Sequence, residues 1–163
     1  MIIRVKNKES LIFDDFIFRC AVGKKGISSR KKEGDFCTPR GSFNLGTVYY
    51  RSDRIKNIKT KLKLIKIKKN MGWCNDPRSK KYNSLIKIKD RFKHEKLHRI
   101  DNKYDIVVVI KYNFKKPIPY NGSAIFLHLT KHYKGTAGCI ALSKNDLLIL
   151  LRLINKKTKI RIF

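Results

Sequence analysis

Ser123-Ala124-Ile125-Phe126-Leu127-His128-Leu129, then Gly135-Thr136-Ala137-Gly138-Cys139-Ile140-Ala141-Leu142, is the stretch on which the reading of this chain turns. The first half reads as a short buried strand that delivers a histidine. The second is a glycine-bracketed turn that delivers a cysteine at the head of another strand. A free thiol has a pKa of about 8.5, so an imidazole nearby is what makes a cysteine a usable nucleophile at neutral pH. Gly138 before Cys139 lets the backbone bend so that successive N–H groups face a substrate oxygen, an oxyanion hole in outline. The plain alternative is a strand histidine and a small core cysteine that never meet a substrate.

Outward from this stretch the pattern is mostly β. Residues 2–6 and 11–22 have strand composition, with a polar turn at 6–10 between them. A basic, Gly-punctuated loop from Gly23 to Gly41 leads into a strand at 42–50. Residues 58–69 alternate Leu and Ile with Lys, as a strand with one wet face does. Met71 to Pro77 reads as a loop carrying the only Trp, Trp73. Ile106-Val107-Val108-Val109-Ile110 is a buried strand, and the last strand runs from Thr158 to Phe163. Ser143 followed by Asp146 caps one apolar helix over residues 147–154. Roughly nine strand segments against one helix near the C-terminus predict a mainly β single domain spanning residues 1–163, closed or sandwiched.

The 163 residues carry 40 Lys and Arg against 12 Asp and Glu, a formal charge of +28, with mean hydropathy -0.42. Such charge suits a polyanion, whether nucleic acid, anionic membrane or acidic wall polymer. It equally describes lysines spread over a solvated surface. No segment reaches the roughly 20 apolar residues of a membrane span. With no signal-peptide-like run after Met1, the expected compartment is the cytoplasm, or the periplasm or wall by an unrecognised export route. The four cysteines are then expected as reduced thiols. Cys74 is the rival to Cys139 as nucleophile, but it lacks a comparable strand histidine. His94-Glu95-Lys96-Leu97-His98 matches the H-E-x-x-H zinc pattern, yet it sits among lysines and arginines with no convincing third ligand after it, and no metal or other cofactor is expected.

The quoted residues also resemble the catalytic core of the YkuD-type L,D-transpeptidases: Phe126-Leu127-His128, a short loop, then Thr136-Ala137-Gly138-Cys139. Gly34 with Thr38-Pro39-Arg40-Gly41-Ser42-Phe43 resembles a further family segment. Gly72-Trp73-Cys74-Asn75-Asp76-Pro77 with Tyr82-Asn83, and Glu95, Leu97, Arg99 and Asp101, resemble a divergent branch that has Thr-Ala-Gly-Cys at the nucleophile. The resemblance runs from about residue 19 to the end. It implies a β-sandwich with Cys139 as nucleophile, His128 as its base and Gly138 in the oxyanion turn. Arg99, Trp73, Tyr104 and Thr136 are the expected substrate contacts. Ala137 and Ala141 stand where the family usually carries a second histidine and an arginine, so Arg99 is the expected anchor for a substrate carboxylate. The implied activity is acyl transfer on peptidoglycan stem peptides through a Cys139 thioester, ending in a 3,3 crosslink or in L,D-carboxypeptidase hydrolysis. A cytoplasmic location tilts this toward hydrolysis of soluble muropeptides by a monomer. The alternative is a basic nucleic-acid-binding β-domain with an incidental Cys and His.

Overall fold

A computed structural model describes residues 1–6, 9–89 and 91–163. The polar turn expected at 6–10 includes Asn7 and Lys8, which lie outside the described residues. In chain order the elements are β1 (Ile2–Val5), β2 (Ser10–Phe13), β3 (Phe16–Ala21), β4 (Ile27–Ser28), β5 (Thr38–Pro39), β6 (Gly41–Tyr50) and β7 (Leu64–Lys66). They continue with β8 (Met71–Cys74), β9 (Leu85–Lys87), β10 (His94–Lys96), β11 (Ile106–Ile110), β12 (Phe126–Leu129), β13 (Ile140–Leu142), α1 (Lys144–Leu153) and β14 (Lys159–Ile162).

The main sheet runs β11-β12-β13-β3-β2-β1-β14-β6, and β6 also pairs with β11. The sheet therefore closes on itself, which removes the exposed edges an open sheet would offer. Closure depends on the length of β6. Its first half, Gly41 to Asn44, pairs with β14, and from Leu45 onward it pairs with β11 through an irregular step between Val108 and Ile110. Strands β12 and β13 are parallel neighbours, as are β1 and β14.

The all-apolar run of β11 is buried along its whole length because both its faces are covered. Ile106, Val108 and Ile110 point into the barrel with Leu127, Ile140 and Leu142. Val107 and Val109 point the other way, into a second core with Phe126, Tyr104, Trp73 and Cys139. This second core lies under a small sheet ordered β10-β8-β9. Helix α1 adds Leu147, Leu150 and Leu151 to the first core, and Asp146 N–H donates to the Ser143 Oγ cap at 3.1 Å.

Two local expectations differ from the structure, and the H-E-x-x-H segment takes a form the sequence did not specify. Only Leu64–Lys66 of the alternating 58–69 run forms a strand, added parallel to β6 outside the closed ring; lysine alternation describes solvation here more than pairing. Met71–Cys74, expected in a loop, is the central strand of the small sheet, its signal obscured by Gly72. His94–Lys96 is a strand paired with β8. The strand ends at Lys96 and His98 lies in the bend beyond it, so His94 and His98 do not form the helical face a zincin needs.

Candidate active site

The site follows from strand register. Leu127 lies opposite Ile140 and His128 opposite Ala141 on the parallel pair β12 and β13. Extending that register by one residue puts Phe126 beside Cys139, and Phe126 N–H donates to Cys139 Sγ at 3.4 Å. With a period of two, His128 and Cys139 then share one face, their Cα atoms about 8 Å apart by sheet geometry. Both line a cavity of about 890 Å³ between the barrel wall and the small sheet.

The turn that presents Cys139 is held by two threonines. Thr136 Oγ1 donates to Cys139 O at 2.6 Å and accepts from Gly138 N–H at 3.0 Å, closing the turn on itself. Thr38, fully buried, donates from Oγ1 to Gly138 O at 2.9 Å and accepts from Gly23 N–H at 2.8 Å. Gly138 has φ +145°, and a Cβ there would lie 2.8 Å from Cys37 O, so only glycine fits. The Gly138 N–H is thus already engaged, leaving the neighbouring amides of the turn as donors toward a ligand.

His128 is 6% exposed, and its Nδ1 lies 2.9 Å from Leu129 O. With Nδ1–H donating to that carbonyl, Nε2 keeps its lone pair and can act as a base. Burial, with Lys103 and Arg99 adding to it, lowers the His128 pKa to about 4. Burial pushes the Cys139 thiol well up, and the charge of Glu95 pushes the same way. Both shifts oppose an ion pair, so the resting site is a neutral thiol and a neutral imidazole. The thiol proton is directed to Ala124 O, 3.1 Å from Sγ.

The other expected residues divide. Tyr104 lines the cavity, packs edge-on against His128 at 5.3 Å between centroids, and donates from its hydroxyl to Glu95 Oε1 at 2.7 Å. Arg99 lines the cavity, but its guanidinium is bound by Asp101 at 2.9 and 2.7 Å and lies over the Tyr104 ring at 5.2 Å. Thr136 lines the cavity and serves the turn. Trp73 is set behind the wall: it is 3% exposed, packs edge-on against Phe126 at 5.2 Å, and donates from Nε1 to Asn83 Oδ1 at 2.9 Å. Cys74, expected to lack a strand histidine, has one: His94 lies directly opposite it on the neighbouring strand β10. What sets Cys74 apart from Cys139 is that it is fully buried in β8 and does not line the cavity.

Thr38, Glu33 and Lys31 belong to the site without a local sequence pattern that marks their role. Glu33 Oε2 accepts from Tyr82 Oη at 2.5 Å and Ser123 Oγ at 2.7 Å on the cavity wall. Lys31, although 8% exposed, lines the cavity and pairs with Asp35 at 2.6 Å. Among the described residues seven lysines, Lys24, Lys31, Lys93, Lys103, Lys131, Lys134 and Lys144, line the cavity with Arg99 against four carboxylates, Glu33, Glu95, Asp101 and Asp105, which leaves its rim cationic on balance. Among the described residues, no group of three or more His, Cys, Asp or Glu is arranged to hold a metal ion.

A closed, mainly β domain whose adjacent strands carry a histidine and a cysteine on one face, both lining one cavity, belongs to the class of β-barrel and sandwich-like domains. The model of the L,D-transpeptidase catalytic domain, YkuD, matches residues 3–162, and the chain belongs to that family. Neither a curated protein nor a solved structure matches it. The family acts on peptidoglycan stem peptides.

Proposed function

We propose that this chain is an acyl-transfer enzyme for peptidoglycan stem peptides, with Cys139 as nucleophile and His128 as its proton carrier. The observation that carries this reading is the β12–β13 register, which sets both side chains on one face and in one cavity. Because the free site is neutral, His128 Nε2 takes the thiol proton as Sγ bonds to the substrate carbonyl, not before. Charge then develops on the carbonyl oxygen, where the amides of Ala137 and Cys139 are the turn's remaining donors. Collapse breaks the C–N bond to the D-residue, and His128 returns the proton to the leaving amine. A thioester on Cys139 remains.

An amine of a second stem resolves the thioester to a 3,3 crosslink, and water resolves it to a tripeptide. On dilute soluble tetrapeptide, water is the more abundant acceptor, and hydrolysis dominates. The cationic rim suits the carboxylates of a stem peptide, with Arg99 and Lys103 the cations nearest the histidine side. Family membership favours this reading over a nucleic-acid-binding domain. Mass spectrometry of products from disaccharide-tetrapeptide tests it. Tripeptide or crosslinked dimer is expected; recovery of unchanged tetrapeptide under all conditions contradicts it.

A further inference from the structure

Asn83 has positive φ, +55°, and is 4% exposed, in the connection between β8 and β9. Its side chain makes every hydrogen bond an amide can make. Oδ1 accepts from Trp73 Nε1–H at 2.9 Å and from Ala124 N–H at 3.0 Å. Nδ2 donates to Tyr112 O at 3.0 Å and Asn113 O at 2.7 Å. Asn83 therefore ties the small sheet to the two chain segments that flank β11 and β12.

One of those ties reaches the nucleophile. Ala124 is held at φ +53°, a left-handed conformation that costs an L-residue about 1–2 kcal/mol. The bond from its N–H to Asn83 offsets that cost. In this conformation the Ala124 carbonyl faces Cys139 and accepts its S–H at 3.1 Å, while Phe126 N–H donates to the same sulfur at 3.4 Å. A carbonyl oxygen aimed at a sulfur favours thiol over thiolate, because it accepts from the first and repels the second.

We propose that Asn83 is a positioning residue for the nucleophile: by holding Ala124 in its left-handed conformation it aims the Ala124 carbonyl at the Cys139 S–H. The sulfur is thereby kept protonated and in one orientation until substrate enters. This rests on Cys139 being the nucleophile proposed above. It also gives Trp73 a task, since the indole N–H fixes which way the Asn83 amide faces.

The test uses the other buried thiols as internal controls. Cys20 and Cys74 are 1% and 0% exposed. Asn83→Gly deletes the side chain while tolerating the positive φ. Site-resolved alkylation by iodoacetamide at pH 7.5, read by peptide mass spectrometry, is expected to rise about threefold to tenfold at Cys139, the factor one hydrogen bond carries. Cys20 and Cys74 stay protected. On tetrapeptide, kcat falls with KM little changed. Asn83→Ser, too short to reach Ala124, carries the same expectation as the glycine variant should that one not fold. Unchanged labelling of Cys139 overturns the proposal, and so does labelling of all three thiols together, which marks general loosening. If the parent protein forms no acyl adduct on Cys139, the nucleophile reading fails separately, whatever the alkylation shows.

Discussion

Thr38 Oγ1 donates to the carbonyl of Gly138 at 2.9 Å, joining the end of the basic loop to the turn that carries Cys139. The same hydroxyl accepts from Gly23 N–H, so Thr38→Val strands two buried backbone groups at once. Each is worth about 1–3 kcal/mol when unsatisfied. Thr38→Val is expected to lower the melting temperature and to cut kcat on tetrapeptide, with Thr38→Ser restoring both. A valine variant with parental kcat would remove Thr38 from the positioning of the turn.

The pH dependence of kcat/KM follows from the buried histidine. That ratio reports groups of the free enzyme, where the His128 pKa is lowered to about 4. Activity therefore rises with pH through about 4 and is level across neutrality, because the thiol stays protonated there. An acid limb at the ordinary histidine value would mean that the imidazole is not desolvated as described.

Stability carries the same signature. Between pH 6.5 and about 4 the unfolded chain protonates this histidine and the folded one does not, so folding weakens as pH falls through that window. The expected contribution is about 3 kcal/mol, lost as pH drops from 6.5 to 4. Glu95, whose pKa burial raises, works in the opposite direction near the same range. Urea titrations of the parent and His128→Gln isolate the histidine: the variant gains relative to the parent as pH falls. Parallel stability curves would contradict the assignment.

Arg99 is held by Asp101 yet faces the cavity, which makes its role separable by the choice of variant. If it anchors a stem carboxylate, Arg99→Ala raises KM several-fold and leaves the labelling of Cys139 by iodoacetamide unchanged. Asp101→Asn, which frees the guanidinium, does not raise KM. A parental KM in Arg99→Ala assigns the anchor to the lysines of the rim.

How much of this was legible in the sequence depended on range. The Ile106–Ile110 run, the Ser143 cap and the His128 strand are local patterns, and each forms the element its pattern predicts. The pairing of His128 with Cys139 was legible as motif; that they share a face is set by the register of β12 and β13, which no local pattern contains. Thr38 and Gly138 are 100 residues apart, and Asn83 and Ala124 are 41 apart. Nothing near either residue in the chain marks the bond. Trp73 was conspicuous as a lone tryptophan, but its burial behind Phe126 comes from Met71–Cys74 being a central strand, a signal that Gly72 masks.

The central claim is that Cys139 carries the acyl group. Rapid quenching of the protein with disaccharide-tetrapeptide, followed by intact mass and peptide mapping, measures it most directly. One adduct is predicted, of the mass of the stem lacking its terminal D-residue, mapped to Cys139 and absent from Cys139→Ala, which also makes no product. Product formation at the parental rate by Cys139→Ala, or an adduct on Cys37 or Cys74, would contradict the account.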